Sequence, residues 1–402
     1  MAELMPVEAA LAALLEGVLP LEAERIVCEA AAGRVLAEAV PATLDVPPFD
    51  NSAMDGYALH HADAGRVLPV AQRIAAGAPA TPLPRGRCAR IFTGGEIPPG
   101  ADCVVMQEAV TVTPEGVAVP ADMPAGNNVR RRGRDVTAGT PLLGAGQWLE
   151  AAALGHLAGQ GITAVTVRRR PRVALLSTGD EIVAPGQPLG PGQIYNSNRP
   201  MLERLLARFG AEVVMTAAVP DSAEATRRLL GEAAEAADVV VTTGGVSVGE
   251  EDHVRPAVEA LGRLDLWRLA MRPGKPLALG RLRREAGGEA RFVGLPGNPV
   301  SSFVGAWLFL RPLVGALLDC PRLARLPEIS ARATFAAETG PRRHFMRVRL
   351  AFDDDGIVAH AFRDQNSAVL ASCIEADALA VIPEHGRVRE GERVRCLWLQ
   401  LL

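Results

Sequence analysis

The stretch "MRPGKPLALG" (Met271–Gly280) holds the only lysine of the chain. Lys and Arg together number 42, and 41 of these are arginine. An arginine-rich composition explains the scarcity of lysine but not its place, between Gly274 and Pro276. An ammonium is a compact cation with three rotatable donors, suited to a small tetrahedral oxyanion, whereas a guanidinium is a longer planar fork. Three further stretches carry groups for anion chemistry. "TTGGVSVGEED" (Thr242–Asp252) follows an apolar run and precedes a helical pattern. Backbone N–H groups at Gly244, Gly245, Val246 and Ser247 would cradle a phosphate there. The carboxylates behind them fit only with a hard cation such as Mg²⁺ between them and the phosphates. Glu250 and Glu251 are explained equally well as helix-start charge; Asp252 is the metal candidate. The alternative for the whole stretch is a tight strand–helix turn.

"LSTGDEIVAPGQPLGPGQIYNSN" leaves a strand with Ser177, Thr178, Gly179, Asp180 and Glu181 and continues as a long turn-rich loop. Loops of that length without their own structure are usually functional. In "GLPGNPVS", Gly297 and Asn298 sit at another strand-to-helix turn, either as phosphate donors or simply as an Asn–Pro helix start. Six scattered cysteines without a C-x-x-C pair and dispersed histidines give no zinc or disulfide framework. With no nucleophile signature either, a phosphorylated ligand with a metal is the chemistry left.

These residues need a scaffold. At 402 residues the chain exceeds a single growing core. Hydrophobic content of 49% with 22% charged residues is that of a globular protein. A net charge of −4 implies no bulk attraction to nucleic acid or to an anionic membrane. The N-terminal stretch reads as an amphipathic helix rather than a signal peptide, and "VSSFVGAWLFL" is too short to span a bilayer, so a cytoplasmic protein is expected.

Apolar runs alternate with helical patterns over residues 171–319, the signature of a doubly wound, mainly parallel α/β domain. Ligands of such sheets bind beyond the carboxyl ends of the strands, where the motifs above lie. Asp221 and Glu224 read as a capping box, and Asn298–Pro299 as a helix start. Residues 46–139 read as an inserted β-rich module, containing "PPFDNSAMDGYA" and a basic run over Arg130–Arg134. Residues 1–45 and 140–170 read as a largely helical N-terminal domain, and 320–402 as a terminal β-barrel in which Arg342, Arg343 and Arg347 cluster.

The ordered set "PFDNSAMDGYA", "RIFTGGEIPPGADCVVMQE", "RRRGRDV", "LLSTGDE", "TTGGVSVGEEDH", "MRPGKPLALG", "GLPGNPVS", "HFMRV" and "DQNSAVLASC" resembles the MoeA family of molybdopterin molybdenumtransferases, which includes the C-terminal domain of gephyrin. The resemblance implies an elongated homodimer whose α/β domain is MogA-like. It also implies Mg²⁺-dependent insertion of molybdate into adenylylated molybdopterin with release of AMP, in a pathway with MogA-type and molybdoenzyme partners. The residues it implicates in catalysis are Asp55, Thr93 and Asp135 in the β module, and Glu181, Asp221, Asp252 and Lys275 in the α/β domain. For molybdate it implicates Arg268, Arg272, Lys275, Arg347 and Ser367, and for the metal Asp252 with Glu181. The sequence departs from the family pattern in three places: Arg268 and Arg272 where lysine is common, "DQNS" in the barrel, and His344 where an acid is common. A non-catalytic carrier or scaffold and a MogA-like adenylyltransferase are the competing readings; the β module and barrel favour molybdenum insertion over the latter.

Overall fold

The computed structural model describes residues 4–246 and 253–399. Ser247 and Asp252 lie outside the described residues. Chain contacts define two compact units. One comprises Met1–Ala37, Gly146–Glu150 and Thr166–Leu402, and the other Glu38–Ala145 with Ala151–Val165.

In the first unit a six-stranded sheet uses β1 (Arg172–Thr178), β2 (Glu212–Val219), β3 (Val239–Thr243), β4 (Gly262–Arg268), β5 (Pro276–Arg283) and β6 (Glu289–Leu295). Their spatial order is β2-β1-β3-β6-β5-β4. The four strands from β2 to β6 run parallel, as the alternating pattern predicts. The β5 and β4 pairings are antiparallel, so one edge of the sheet departs from that expectation. The cause is connection length: only a short turn joins β5 to β6, and a parallel partner needs a crossover of a dozen or more residues.

Period-two alternation covers both faces of this sheet. Val173 and Leu175 of β1 pack with the helices Asn198–Arg208 and Pro299–Leu317. Ala174 and Leu176 pack on the other face, with Ala223–Ala236 and Val254–Leu261. Thr226, Leu229, Leu230, Ala233 and Ala234 form the buried stripe of the first of these two, three to four residues apart. Its cap is Ser222, whose Oγ accepts from Ala225 N, and not Asp221 as the capping-box spacing suggests. The helix Pro299–Leu317 is long and apolar enough to cross a membrane by length and composition, yet 94% of that stretch is buried in the fold. It is a core helix. A single π turn, Ala306–Leu310, sits just ahead of Pro312, which has no N–H to give the helical ladder.

The N-terminal region is less helical than its sequence suggests. Its helix ends at Leu15, Gly17 adopts φ +63°, and Ala23–Val27 is a strand. Val7, Ala10 and Leu14 bury the helix in the α/β core.

The barrel is built from β7 (Glu328–Ala333), β8 (Arg343–Asp353), β9 (Gly356–Ala361), β10 (Ala378–Ile382) and β11 (Arg393–Trp398). Pairing in the order β8-β9-β7-β11-β10 and back to β8 closes it. Met271–Arg272 adds a short parallel strand at the start of β8, which ties the lysine turn to the barrel.

In the second unit, four short strands order as Val70–Ile74, Cys88–Ile91, Gly56–Leu59, Cys103–Met106. Gly56 is required at its position, since a Cβ there would lie 1.8 Å from Val105 O. The buried Gln160, after the helix Ala151–Gly159, receives hydrogen bonds from Thr43 N (2.7 Å) and Leu44 N (2.8 Å) at its Oε1.

Candidate active site: two adjoining clefts

Parallel register brings four strand ends level. Thr178 lies beside Val219, Ser177 beside Thr243, and Thr243 beside Leu295. The turns leaving those ends line a cleft of about 780 Å³. Its walls include Thr178, Gly179, Glu181, Asp221, Gly244, Gly245, Val246, Gly297 and Asn298, so separate sequence motifs converge on one place. Gly244 adopts φ +88°, and a Cβ on it would stand 2.6 Å from Thr178 Oγ1. Only glycine fits there without strain.

The hydroxyls at the strand ends are linked. Asn196 Nδ2 donates to Ser177 Oγ (2.8 Å), Thr243 Oγ1 donates to Ser177 Oγ (3.4 Å), and Thr178 Oγ1 donates to Thr243 O (3.3 Å). Asp180 and Asp221 exchange backbone-to-carboxylate bonds, with Asp221 N reaching Asp180 Oδ1 at 3.2 Å and Asp180 N reaching Asp221 Oδ2 at 3.4 Å. This exchange holds two acidic turns together at the cleft. Asn198 Nδ2 donates to Gly297 O (2.7 Å), while its Oδ1 is buried without a partner. Tyr195, Asn196 and Asn198, at the end of a short strand and the start of the following helix, carry no anion- or metal-binding signature in the sequence.

A second cleft of about 260 Å³ shares Pro276, Pro296 and Asn298 with the first. Arg272, Lys275, Arg342, Ser301 and Ser367 line it, and no carboxylate does among the described residues. Lys275 therefore stands at an adjoining cleft and not among the glycine turns themselves. Leu269 N donates to Lys275 O (3.0 Å), and Gly274 takes φ +103°, which together set the turn. Val300 N donates to Ser367 O (3.0 Å), anchoring the barrel loop to the start of the core helix.

Two arginines implicated in molybdate binding are placed differently. Arg268 pairs in register with Pro276 but lines neither cleft. Arg347 is 0% exposed. Its Nε donates to Ser372 Oγ (2.9 Å), Nη1 to Gln365 O (3.1 Å), and Nη2 to Asp364 O (3.1 Å) and Asn366 O (3.2 Å). A guanidinium so used holds the loop that carries Ser367 and has no open face for an anion. His344, 6% exposed, has a buried Nε2 without a partner. Burial, reinforced by the charges of Arg272, Arg347 and Arg342, pushes its pKa down to about 4.

In the second unit, Asp55 and Thr93 come together. Asp55 Oδ1 accepts from Thr93 N (2.7 Å) and Thr93 Oγ1 (2.8 Å), and these bonds hold its carboxyl below the usual range. Asp135 is exposed and faces His156 Nε2 at 3.8 Å. The basic run is partly paired, with Arg131 bonded to Asp50 and Arg132 to Asp45. His60, His61 and Asp102 bring three potential metal-ligand atoms within 4.8 Å of one another, a grouping hidden in the sequence by the distance between residues 61 and 102. Burial pushes the thiols of Cys88, Cys373 and Cys396 up to about 11, far from nucleophilic character at neutral pH.

Three family models match the chain. They are the MoeA N-terminal region (domain I and II) over residues 5–161, a probable molybdopterin binding domain over 174–316, and the MoeA C-terminal region (domain IV) over 330–399. A molybdopterin molybdenumtransferase of Haemophilus influenzae is 37% identical over 382 residues, 93% of each chain. A molybdopterin molybdenumtransferase 2 of Mycobacterium tuberculosis is 38% identical over 370 residues, 88% of this chain and 89% of that one. The solved structure of a molybdopterin biosynthesis MoeA protein from Pyrococcus horikoshii superposes with a TM-score of 0.80 at 31% identity, covering 100% of both chains. The matches run through both units, and the chain belongs to the MoeA family of molybdopterin molybdenumtransferases.

Proposed function

We propose that the protein is a molybdopterin molybdenumtransferase of molybdenum cofactor biosynthesis. It inserts molybdate into adenylylated molybdopterin with the help of Mg²⁺ and releases AMP. The observation that carries this reading is the pair of adjoining clefts: glycine turns and carboxylates line one, and cationic side chains line the other with no carboxylate among the described residues.

The donor set fits the metal. Glu181 and Asp221 line the larger cleft as hard oxygen ligands beside backbone turns suited to phosphate, and carboxylates there suit a bound cation. Mg²⁺ typically takes one or two carboxylates and fills its remaining positions with water and phosphate oxygens. Asp252 follows the same turn in sequence and is proposed as the second ligand with Glu181. When bound, the ion supplies positive charge to the phosphates.

The chain's own residues position the reactants. Backbone N–H groups at Gly245, Val246 and Gly297 orient the pyrophosphate, while Gly179 N and Gly244 N donate to Val219 O and Leu295 O and so shape the turns, with Ser177, Thr178, Asp180 and Asn298 around them. Lys275 and Arg272, joined by Arg342 and Ser367, hold the molybdate dianion, and Arg347 acts on it by fixing the Ser367 loop. Sulfur ligation of molybdenum then asks mainly for alignment. Asp55, Thr93 and Asp135 are proposed to take part in the same reaction, and Arg268 to contribute to the cationic field. We also propose a cytoplasmic homodimer that receives its substrate from a MogA-type adenylyltransferase and passes its product to molybdoenzymes.

The deciding assay combines adenylylated molybdopterin, molybdate and Mg²⁺ and scores AMP release and molybdenum insertion. A carrier or scaffold would do neither, and an adenylyltransferase would form the adenylylated pterin from ATP. Asp252→Asn and Glu181→Gln should raise the Mg²⁺ requirement strongly while leaving the melting temperature nearly unchanged. Unchanged Mg²⁺ dependence in both variants would refute the metal assignment.

A further inference from the structure

One wall of the larger cleft is apolar. The two-residue strands Ile182–Val183 and Ile194–Tyr195 pair in parallel, and Ile182, Ile194 and Tyr195 face the cleft from that ribbon. Ile194 is 55% exposed and Tyr195 47% exposed, so this wall presents large apolar side chains to water. Elsewhere the lining is glycine, hydroxyl, amide and carboxylate, with only smaller apolar side chains such as Val246, Pro276 and Ala368 among them. The ring is held in place: Tyr195 Oη donates to Gln187 O (3.0 Å), and the ribbon fixes its backbone. A tethered aromatic ring with an open face has little conformational freedom left to lose when a flat ligand covers it. A second, independent feature concerns the ligand's edge. Asn198, 8% exposed, lines the same cleft with a buried Oδ1 that has no donor. An orphaned acceptor of this kind is costly unless a ligand N–H meets it.

We infer that Tyr195 is the stacking platform for a fused, nitrogen-rich planar ring carried by a phosphorylated ligand. Asn198 Oδ1 is the acceptor for an N–H on the edge of that ring. The inference rests on the function proposed above, in which the ligand contains two such rings, adenine and pterin. It goes beyond that function by naming the residue that grips the ring instead of the phosphates. Stacking of a base on an aromatic side chain is tolerant of the base's identity, so the shared chemistry of the two rings is what the wall reads.

The test uses the full chain and three probes: AMP, ribose 5-phosphate, which lacks a ring system, and neopterin monophosphate. Affinities are measured by calorimetry for the wild type, Tyr195→Phe and Tyr195→Ala, with thermal melts confirming that each variant is folded. Tyr195→Ala should weaken AMP or neopterin monophosphate about tenfold and leave ribose 5-phosphate unchanged, while Tyr195→Phe, which keeps the ring but loses its tether to Gln187, should lose much less. The probe that responds identifies whether adenine or pterin is the ring stacked. If the wild type binds the ring-bearing probes and Tyr195→Ala binds them equally well, the platform is refuted while the proposed function stands. Equal losses in Tyr195→Phe and Tyr195→Ala would also refute it, because the hydroxyl and not the ring face would then matter. A wild type that binds none of the probes would overturn the proposed function and this inference together.

Discussion

The two clefts are neighbours with opposite solutions to the same problem. The larger is lined by backbone turns with Glu181 and Asp221 beside them. The smaller is lined by Arg272, Lys275 and Arg342 and by no carboxylate from the described residues. Under the function proposed above, the contrast follows from what each would have to discriminate. A long phosphorylated ligand is gripped along its length by fixed dipoles, and metal charge can be added or withdrawn at its phosphates. A small dianion offers only its oxygens and its charge, so permanent cations and a hydroxyl are the available readers. One cleft is built from conformation and the other from charge.

The sharpest way to break this comparison is to remove the support of the smaller cleft. Arg347→Met should strip donors from the carbonyls of Asp364, Gln365 and Asn366 and lower stability by about 3 kcal/mol or more, read as a shift in the denaturation midpoint. Oxyanion binding should be lost while AMP binding persists in the folded fraction. Retained oxyanion affinity would show that the Ser367 loop does not depend on Arg347.

A pH titration probes the same neighbourhood. The pKa of His344 falls from its ordinary 6.5 to about 4 in the fold, so the unfolded chain binds the proton more readily between those values. Its contribution to stability is complete above about pH 6.5 and is lost as pH falls toward 4, by up to about 3 kcal/mol. His344→Gln should flatten that part of the stability–pH curve, and an unaltered curve would assign the acid sensitivity elsewhere.

In the larger cleft, Gly244→Ala should cost about 2 kcal/mol through φ +88° and the clash with Thr178. It should weaken phosphate-bearing ligands more than molybdate, and equal weakening of both would mean that the clefts are not functionally separate. The smallest effect is the most diagnostic. Lys275→Arg preserves charge, yet should lower molybdate-dependent turnover about tenfold, or about 1.4 kcal/mol, by replacing a compact donor with a planar fork beside Arg272. Near-normal turnover would make the single lysine an accident of composition.

How far the sequence anticipates this architecture varies with the range of the interactions involved. The parallel strands, their glycine turns and the Asn298–Pro299 helix start depend on local patterns, and the structure places all of them at one rim. The end of the first helix at Leu15 was masked by continued apolar character, although Gly17 and Pro20 mark the break. Ser222 displaced Asp221 as a cap because Asp221 is engaged with Asp180, a partner 41 residues away. The burial of Arg347 is illegible in the sequence for a related reason. A cation at the surface and one clamping buried carbonyls look identical until the loop 17 to 19 residues downstream folds over it. Tyr195 stood within a stretch already singled out, but an aromatic ring signals a ligand only when its face is seen to be open. The antiparallel sheet edge depended on a turn length and not on the apolar pattern, which is the same for either direction.

The partition between the clefts has a property of its own. Two of its three shared residues, Pro276 and Pro296, have no backbone N–H to offer, so the dividing wall gives a passing ligand almost nothing to hold. The exception is the Asn298 amide, which borders both chambers. Its side chain can serve only one occupant at a time, so it is the one point where the two chambers touch the same polar side chain. A boundary that is slippery everywhere except at one side chain keeps neighbouring chambers apart by giving neither occupant a hold on the other's side.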